Sequence, residues 1–179
     1  ANPTIENNIF EDNQTPIKTN NLLASFSGNT AKNNELNGIL VSGFGFSDTV
    51  TQVDWQKAGL PYILESSTII SSGQTLDVKP GVIIKLKGGS RIYIEGSLRV
   101  QGQVEDKIIF TSFSDDEYGG DTNNDGNNTQ PLAGYWNFIK FSASSTNSIF
   151  DNVIIRYGGW YNASLKSGAI KIENTGVSI

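Results

Sequence analysis

The chain has 179 residues, enough for one domain with a core of its own. Its net charge is -5, with charged residues at 17% and apolar residues at 37% before 19 glycines are counted; this is a globular composition without the basic footprint of a nucleic-acid binder or a polybasic membrane patch. The absence of cysteine, histidine and methionine excludes disulfides, thiolate chemistry, triads of the usual kind and most zinc or copper sites, and leaves only hard, oxygen-seeking metals.

No apolar run approaches the roughly 18 residues of a membrane span. Ala1 at the first position reads as an excised or mature segment. Residues 1–45 are rich in asparagine: "IENNIFEDN", "IKTNNLLASFSGN" and "NNELNGILVSG". Phe10-x-x-Asn13 is echoed by Phe26-x-x-Asn29. Asparagine tolerates left-handed backbone and bonds neighbouring amides, so it suits tight corners. Apolar residues recur between the clusters, and these residues are expected to form rungs of a solenoid.

Residues 46–62 read as a linker or junction, within which "DWQKAGL" has the makings of one helical turn capped by Asp54. From 63 to 179 the apolar residues come in strand-length bursts, among them "TLDVKPGVIIKLKG", "RIYIEGSLRVQG", "KIIFTS", "YWNFIKFS" and "NVIIRYGG". "SGQTLDVKPG" aligns with "EGSLRVQG" when one residue is skipped, placing Leu76 on Leu98 and Val78 on Val100. A spacing of 22 residues suits one coil of a parallel β-solenoid. Residues 113–134 read as a polar loop inserted between rungs, expected to project from one face as a flexible segment.

These segments resemble the right-handed parallel β-helix repeats of large bacterial surface and secreted proteins. The resemblance is close from Gly59 to Gly159 and looser over the start. It implies an all-β, right-handed parallel β-helix with one inserted polar loop, in an extracellular or cell-surface setting. It implies little about activity, because this fold carries lyases, hydrolases, adhesins and passive stalks alike.

The loop contains "DTNNDGN". With Asp121 as position one, Asn123 is position three, Asp125 five, Gly126 six and Asn127 seven. That is the first half of an EF-hand-type calcium loop, in which alternate oxygens turn inward around a sharp glycine turn. Position twelve is Leu132 instead of a bidentate glutamate, so Asp115, Asp116 or Glu117 must close the site. The other reading is a plain solvated loop.

No catalytic residue is assigned. A glycosidase needs two rigidly held carboxylates about 5–10 Å apart, which a mobile insertion places poorly. A lyase needs a basic residue, and Arg91, Arg99, Arg156, Lys140 and Lys171 qualify by type only. Tyr157, Trp160 and Tyr161 cluster in "RYGGWYNAS" and are candidates for stacking on a sugar ring; the plainer reading makes Tyr157 and Trp136 core.

The expected function is therefore a structural or interaction module of an extracellular bacterial protein: a repeat or subunit of a fibre, stalk or adhesin with a calcium-stabilised loop. The alternative is a carbohydrate-binding or polysaccharide-degrading module. The final "GAIKIENTGVSI" leads naturally into "ANPTIENNIFEDNQTPIK". Other copies of the chain, stacked end to end, are thus the expected partners, and a fragment cut in mid-solenoid is the competing explanation.

Overall fold

A computed structural model describes residues 2–20, 23–42, 50–162 and 165–173. Short runs rich in Ile, Val and Thr, bounded by Asn, Gly and Ser, form the strands. In the Asn-rich part these are β1 (Thr4–Glu6), β2 (Ile9–Glu11), β3 (Ile17–Thr19), β4 (Ser25–Ser27), β5 (Thr30–Lys32) and β6 (Ile39–Val41). The next coils hold β7 (Gln52–Trp55), β8 (Tyr62–Leu64), β9 (Thr68–Ile70), β10 (Thr75–Val78), β11 (Ile83–Leu86), β12 (Ile92–Ile94), β13 (Ser97–Gln101) and β14 (Ile108–Ser112). After the insertion come β15 (Ile139–Phe141), β16 (Ile149–Asp151), β17 (Val153–Ile155), β18 (Tyr161–Asn162), β19 (Leu165–Lys166) and β20 (Ile170–Ile172). Among the described residues there is no helix, and so none long and apolar enough to cross a membrane.

The strands stack as an all-β parallel solenoid. A six-stranded sheet runs β17-β14-β11-β8-β6-β3, and two four-stranded sheets run β16-β13-β10-β7 and β20-β15-β12-β9. The pairs β1-β4 and β2-β5 complete the first coils. Every pairing in these stacks is parallel; the short β18-β19 pair is antiparallel. The 22-residue repeat is the true register, because Leu76 pairs with Leu98 and Val78 with Val100. Side chains alternate in and out along each strand. The inward set, including Ile39, Tyr62, Leu64, Ile84, Leu86, Val100 and Phe110, forms one continuous core. Trp55 stacks on Tyr62 within it at 4.6 Å between ring centroids.

The echo between Phe10 and Phe26 is not a register. Phe10 lies opposite Ala31, and Phe26 opposite Ile5. The asparagines stack instead as Asn8 with Asn29 and Asn13 with Asn34. Asn29 and Asn34 are fully buried. Their side-chain amides donate to the Ile5 and Phe10 carbonyls at 2.8 and 2.9 Å, which ties each buried asparagine to a strand of the neighbouring coil. Asn7, Asn33 and Asn152 take positive φ at other turns, as asparagine readily does.

The expected helical turn at Asp54 is absent. Asp54 and Trp55 belong to β7, where Val53 and Trp55 point inward and pair with Leu76 and Val78. Two buried side chains at spacing two outweigh a helix cap there. Within the stretch read as a junction, residues 50–62 hold β7 and the approach to β8, while 46–49 lie outside the described residues; β6 pairs directly with β8. The Asn-rich coils and the later coils share one sheet and one core.

Candidate metal centre and the loop that carries it

Leu40, Ile63, Lys85 and Thr111 are register partners across β6, β8, β11 and β14. Their chain neighbours Ile39, Tyr62, Ile84 and Phe110 fill the solenoid. Strand alternation therefore turns this column outward, toward water. Yet Leu40 is 6% exposed and Ile63, Lys85 and Thr111 are 0% exposed. The inserted loop covers them. Phe113 packs on Leu36, Leu40 and Ile63, and Asp115 and Thr122 of the loop are themselves buried. The insertion expected to project as a flexible segment instead lies along the sheet, because an outward apolar stripe needs a cover.

Three sets of bonds hold the loop in place. From an early coil, the Asn37 amide donates to the Thr122 carbonyl at 2.8 Å, and Asn37 Nδ2 donates to the Asp121 carbonyl at 3.1 Å. From β11, Lys85 Nζ donates to the carbonyls of Asp115 and Gly120, both at 2.8 Å, and to the Thr122 hydroxyl. From the coil above, Arg156 Nη1 meets Glu117 Oε2 at 2.6 Å. The Arg156 guanidinium also lies over the rings of Tyr118 and Tyr157, at 5.3 and 4.9 Å. Its ionisation is held above the usual arginine value, first by the Glu117 bond.

Inside the loop, two aspartates organise the backbone. Asp121 accepts from the amides of Asp125 and Gly126 at 3.1 and 2.9 Å. Asp125 accepts from the amides of Asn127, Asn128 and Thr129, from the Thr129 hydroxyl, and from Asn123 Nδ2 at 2.7 Å. The Thr129 hydroxyl bond leads the causes that hold the Asp125 carboxyl below its ordinary value. Positive φ at Asn124, Gly126 and Asn127 makes the tight turn possible.

Asp116, Asp121 and Asp125 each bring a carboxylate oxygen within 4.8 Å of the others. Burial, followed by the charge of Asp121, pushes the Asp116 carboxyl up from its ordinary value. Asp116 Oδ1 and Asn123 Oδ1 are buried without a hydrogen-bond partner. Buried oxygens are rarely left so. Oxygen-only donors, clustered negative charge and two orphaned acceptors fit a hard divalent cation, which for calcium means oxygens at about 2.3–2.6 Å.

The other residues read as ligands are placed differently. Asp115 turns away from the cluster. It accepts from the Thr111 hydroxyl and from the Glu117 amide at 3.2 Å, and lies 3.8 Å from Arg156. Asn127 offers its amide to Asp125, and its carbonyl accepts from Gln130 at 3.4 Å. Leu132 is 69% exposed and supplies nothing. Of the three acidic residues before the motif, Asp116 is the one whose carboxylate joins those of Asp121 and Asp125.

Of the aromatic candidates, Tyr157 packs toward the core and Trp160 lies toward solvent. Tyr157 is half-buried against the core, and its hydroxyl accepts from Arg156 Nη2 at 2.7 Å. Trp160 is 41% exposed. The side chain of Tyr161 lies outside the described residues. Trp136 is fully buried and donates its indole N–H to the Arg156 carbonyl at 2.8 Å. The basic residues considered as lyase bases also have neighbours: Lys140 pairs with Glu173 at 2.7 Å, Lys171 lies 4.1 Å above Phe138, Arg91 donates to the Tyr93 hydroxyl at 3.2 Å, and Arg99 is the register partner of Asp77.

Lys85, Asn37 and Thr122 did not emerge from the sequence. Lys85 sits at an outward position of "VIIKLK", which reads as a solvated lysine. Only the loop, folded back over it, gives it a role. Comparison with known proteins found no match to a protein family, to a curated protein or to a solved structure.

Proposed function

We propose that this chain is a structural module of an extracellular bacterial protein: a β-solenoid scaffold whose inserted loop is clamped by calcium and whose end strands receive further rungs, those of another copy among them. The convergence of Asp116, Asp121 and Asp125 carries the calcium reading. The orphaned oxygens of Asp116 and Asn123 support it. Isolated carboxylates brought this close repel one another, and a divalent cation removes that cost.

The end-to-end reading is supported by the first coil. β1, β2 and β3 each pair with one neighbour only. Ile9 is 71% exposed there, beside a shallow groove lined by Ile5, Phe10, Pro16 and Ile17. An edge of unpaired strand above an open apolar section is a template for another rung. No catalytic step belongs to this reading.

The calcium reading is tested by native hydrogen exchange with calcium chloride and with chelator. Loop amides 113–129 are expected to gain protection with calcium while the strands change little. Equal protection in both conditions, together with no heat on calcium titration, overturns the reading. For stacking, light scattering at rising concentration is expected to show growing assemblies. A species that stays monomeric throughout counts against it.

A further inference from the structure

We infer that Lys85 is the positioning residue of the oxygen cluster: from beneath the loop, its ammonium holds the backbone beside Asp116 and on both sides of Asp121, and so sets the separation of their carboxylates. The inference rests on the calcium reading given above.

An ammonium group in the interior costs several kcal/mol unless its donors are matched. Lys85 is 0% exposed, and its three donors find three acceptors: the Asp115 carbonyl, the Gly120 carbonyl and the Thr122 hydroxyl. No carboxylate lies within ion-pair distance of its Nζ among the described residues. It therefore grips the loop backbone and leaves the carboxylates free. Burial pulls its pKa down to about 8, so it is largely protonated at pH 7, and the nearby charges of Asp116, Asp115 and Asp121 work against that shift.

The grip falls on both limbs of the cluster. The Asp115 carbonyl belongs to the peptide that continues into Asp116. Gly120 and Thr122 flank Asp121. Asn37 fixes the same second limb from another coil, through the Asp121 and Thr122 carbonyls. With Asn37 on one limb and Lys85 on both, the gap between Asp116 and Asp121 is determined by the sheet rather than by the loop itself. Outer groups that orient metal ligands act in this way, and their loss typically weakens metal binding about 10–100-fold.

Coulomb's law alone points the other way. Lys85 is a positive charge close to a cation site, so its removal should strengthen cation binding. The two effects have opposite signs, which makes the position decisive.

The test is calorimetric titration at pH 7 with calcium chloride, and separately magnesium chloride, on wild type, Lys85→Met and Thr122→Val, with circular dichroism to confirm the solenoid. Positioning by Lys85 is expected to appear as about 10–100-fold weaker calcium binding in Lys85→Met, a smaller loss in Thr122→Val, and a narrower preference for calcium over magnesium in both. Calcium binding equal to or tighter than wild type in Lys85→Met overturns the inference while leaving the calcium site standing. So does a parallel loss of both metals with Thr122→Val unaffected, which marks Lys85 as a fold support only. If Lys85→Met does not fold, Thr122→Val decides: wild-type affinity and selectivity there overturn the inference. If wild type binds no calcium, the calcium reading itself fails, and this inference with it.

Discussion

Asn34 sits beside Asn13 in the neighbouring coil, and its Oδ1 accepts both the Asn13 amide at 2.8 Å and Asn13 Nδ2 at 3.0 Å. The same side chain donates to the carbonyls of Phe10 and Lys32 and to Asn37 Oδ1. It is fully buried. Asn34→Ala removes these bonds at once from part-buried partners, and each group left unsatisfied away from water costs roughly 1–3 kcal/mol. A loss of at least about 2 kcal/mol in denaturant unfolding is expected. Less than about 0.5 kcal/mol means that water takes over the corner, and the stacked asparagines then contribute little.

Ile63 separates a covered outer face from a solvated one. An outward residue on a bare solenoid sheet tolerates truncation within about 0.5 kcal/mol. Ile63 is instead fully buried against Leu36 and Leu40, beneath Phe113. Ile63→Ala should cost about 2–5 kcal/mol, as in any packed core. The same substitution at Ile69, 45% exposed on another sheet, is expected to be close to neutral. Similar small effects at both sites contradict the strapped loop.

Tyr62 supplies a pH signature. Burial raises the ionisation of its phenol well above the ordinary value near 10, and its hydroxyl donates to the Gln56 carbonyl at 3.0 Å. In the unfolded chain this tyrosine gives up its proton above about pH 10, whereas in the fold it keeps it. The folded state then binds more protons, so stability from Tyr62 is intact below pH 10 and falls as pH rises, by up to about 1.4 kcal/mol per pH unit. Tyr62→Phe should flatten that decline in urea unfolding between pH 9 and pH 11, with pH 8 as reference. An unchanged slope shows that Tyr62 ionises freely in the fold.

What was readable in the sequence follows from physics that acts over short distances. Leu76 and Leu98 lie one coil apart and both fill the core, so their spacing shows in the letters. Phe10 and Phe26 look alike yet sit at different places in the coil, and a motif echo without the coil period misleads. The helical-turn reading missed β7 because Trp55 in "DWQKAGL" also suits a helical turn, and only its register with Val78 settles the conformation. In the candidate cluster, the closeness of Asp121, Asn123 and Asp125 was visible from spacing alone. Asp116 and Asp115 are adjacent in sequence, but one faces the cluster and the other Thr111, and local pattern does not contain that choice. Lys85 is 30 residues from the Asp115 carbonyl it holds, a contact fixed by the fold.

The reading without catalysis is open to a direct assay. Uronate-containing and neutral polysaccharides, incubated with the protein in calcium, are expected to yield neither new reducing ends nor unsaturated products. Turnover abolished by Asp116→Ala or Arg156→Ala assigns chemistry to this face and removes the purely structural reading.

The calcium clamp on the loop is tested most directly by a crystal structure from millimolar calcium, refined against anomalous difference data. Density is expected between Asp116, Asp121 and Asp125, with carboxylate oxygens at about 2.3–2.6 Å and Asn123 Oδ1 turned toward it. The same loop, well ordered with its three carboxylates in place and no ion among them at that concentration, contradicts the calcium clamp.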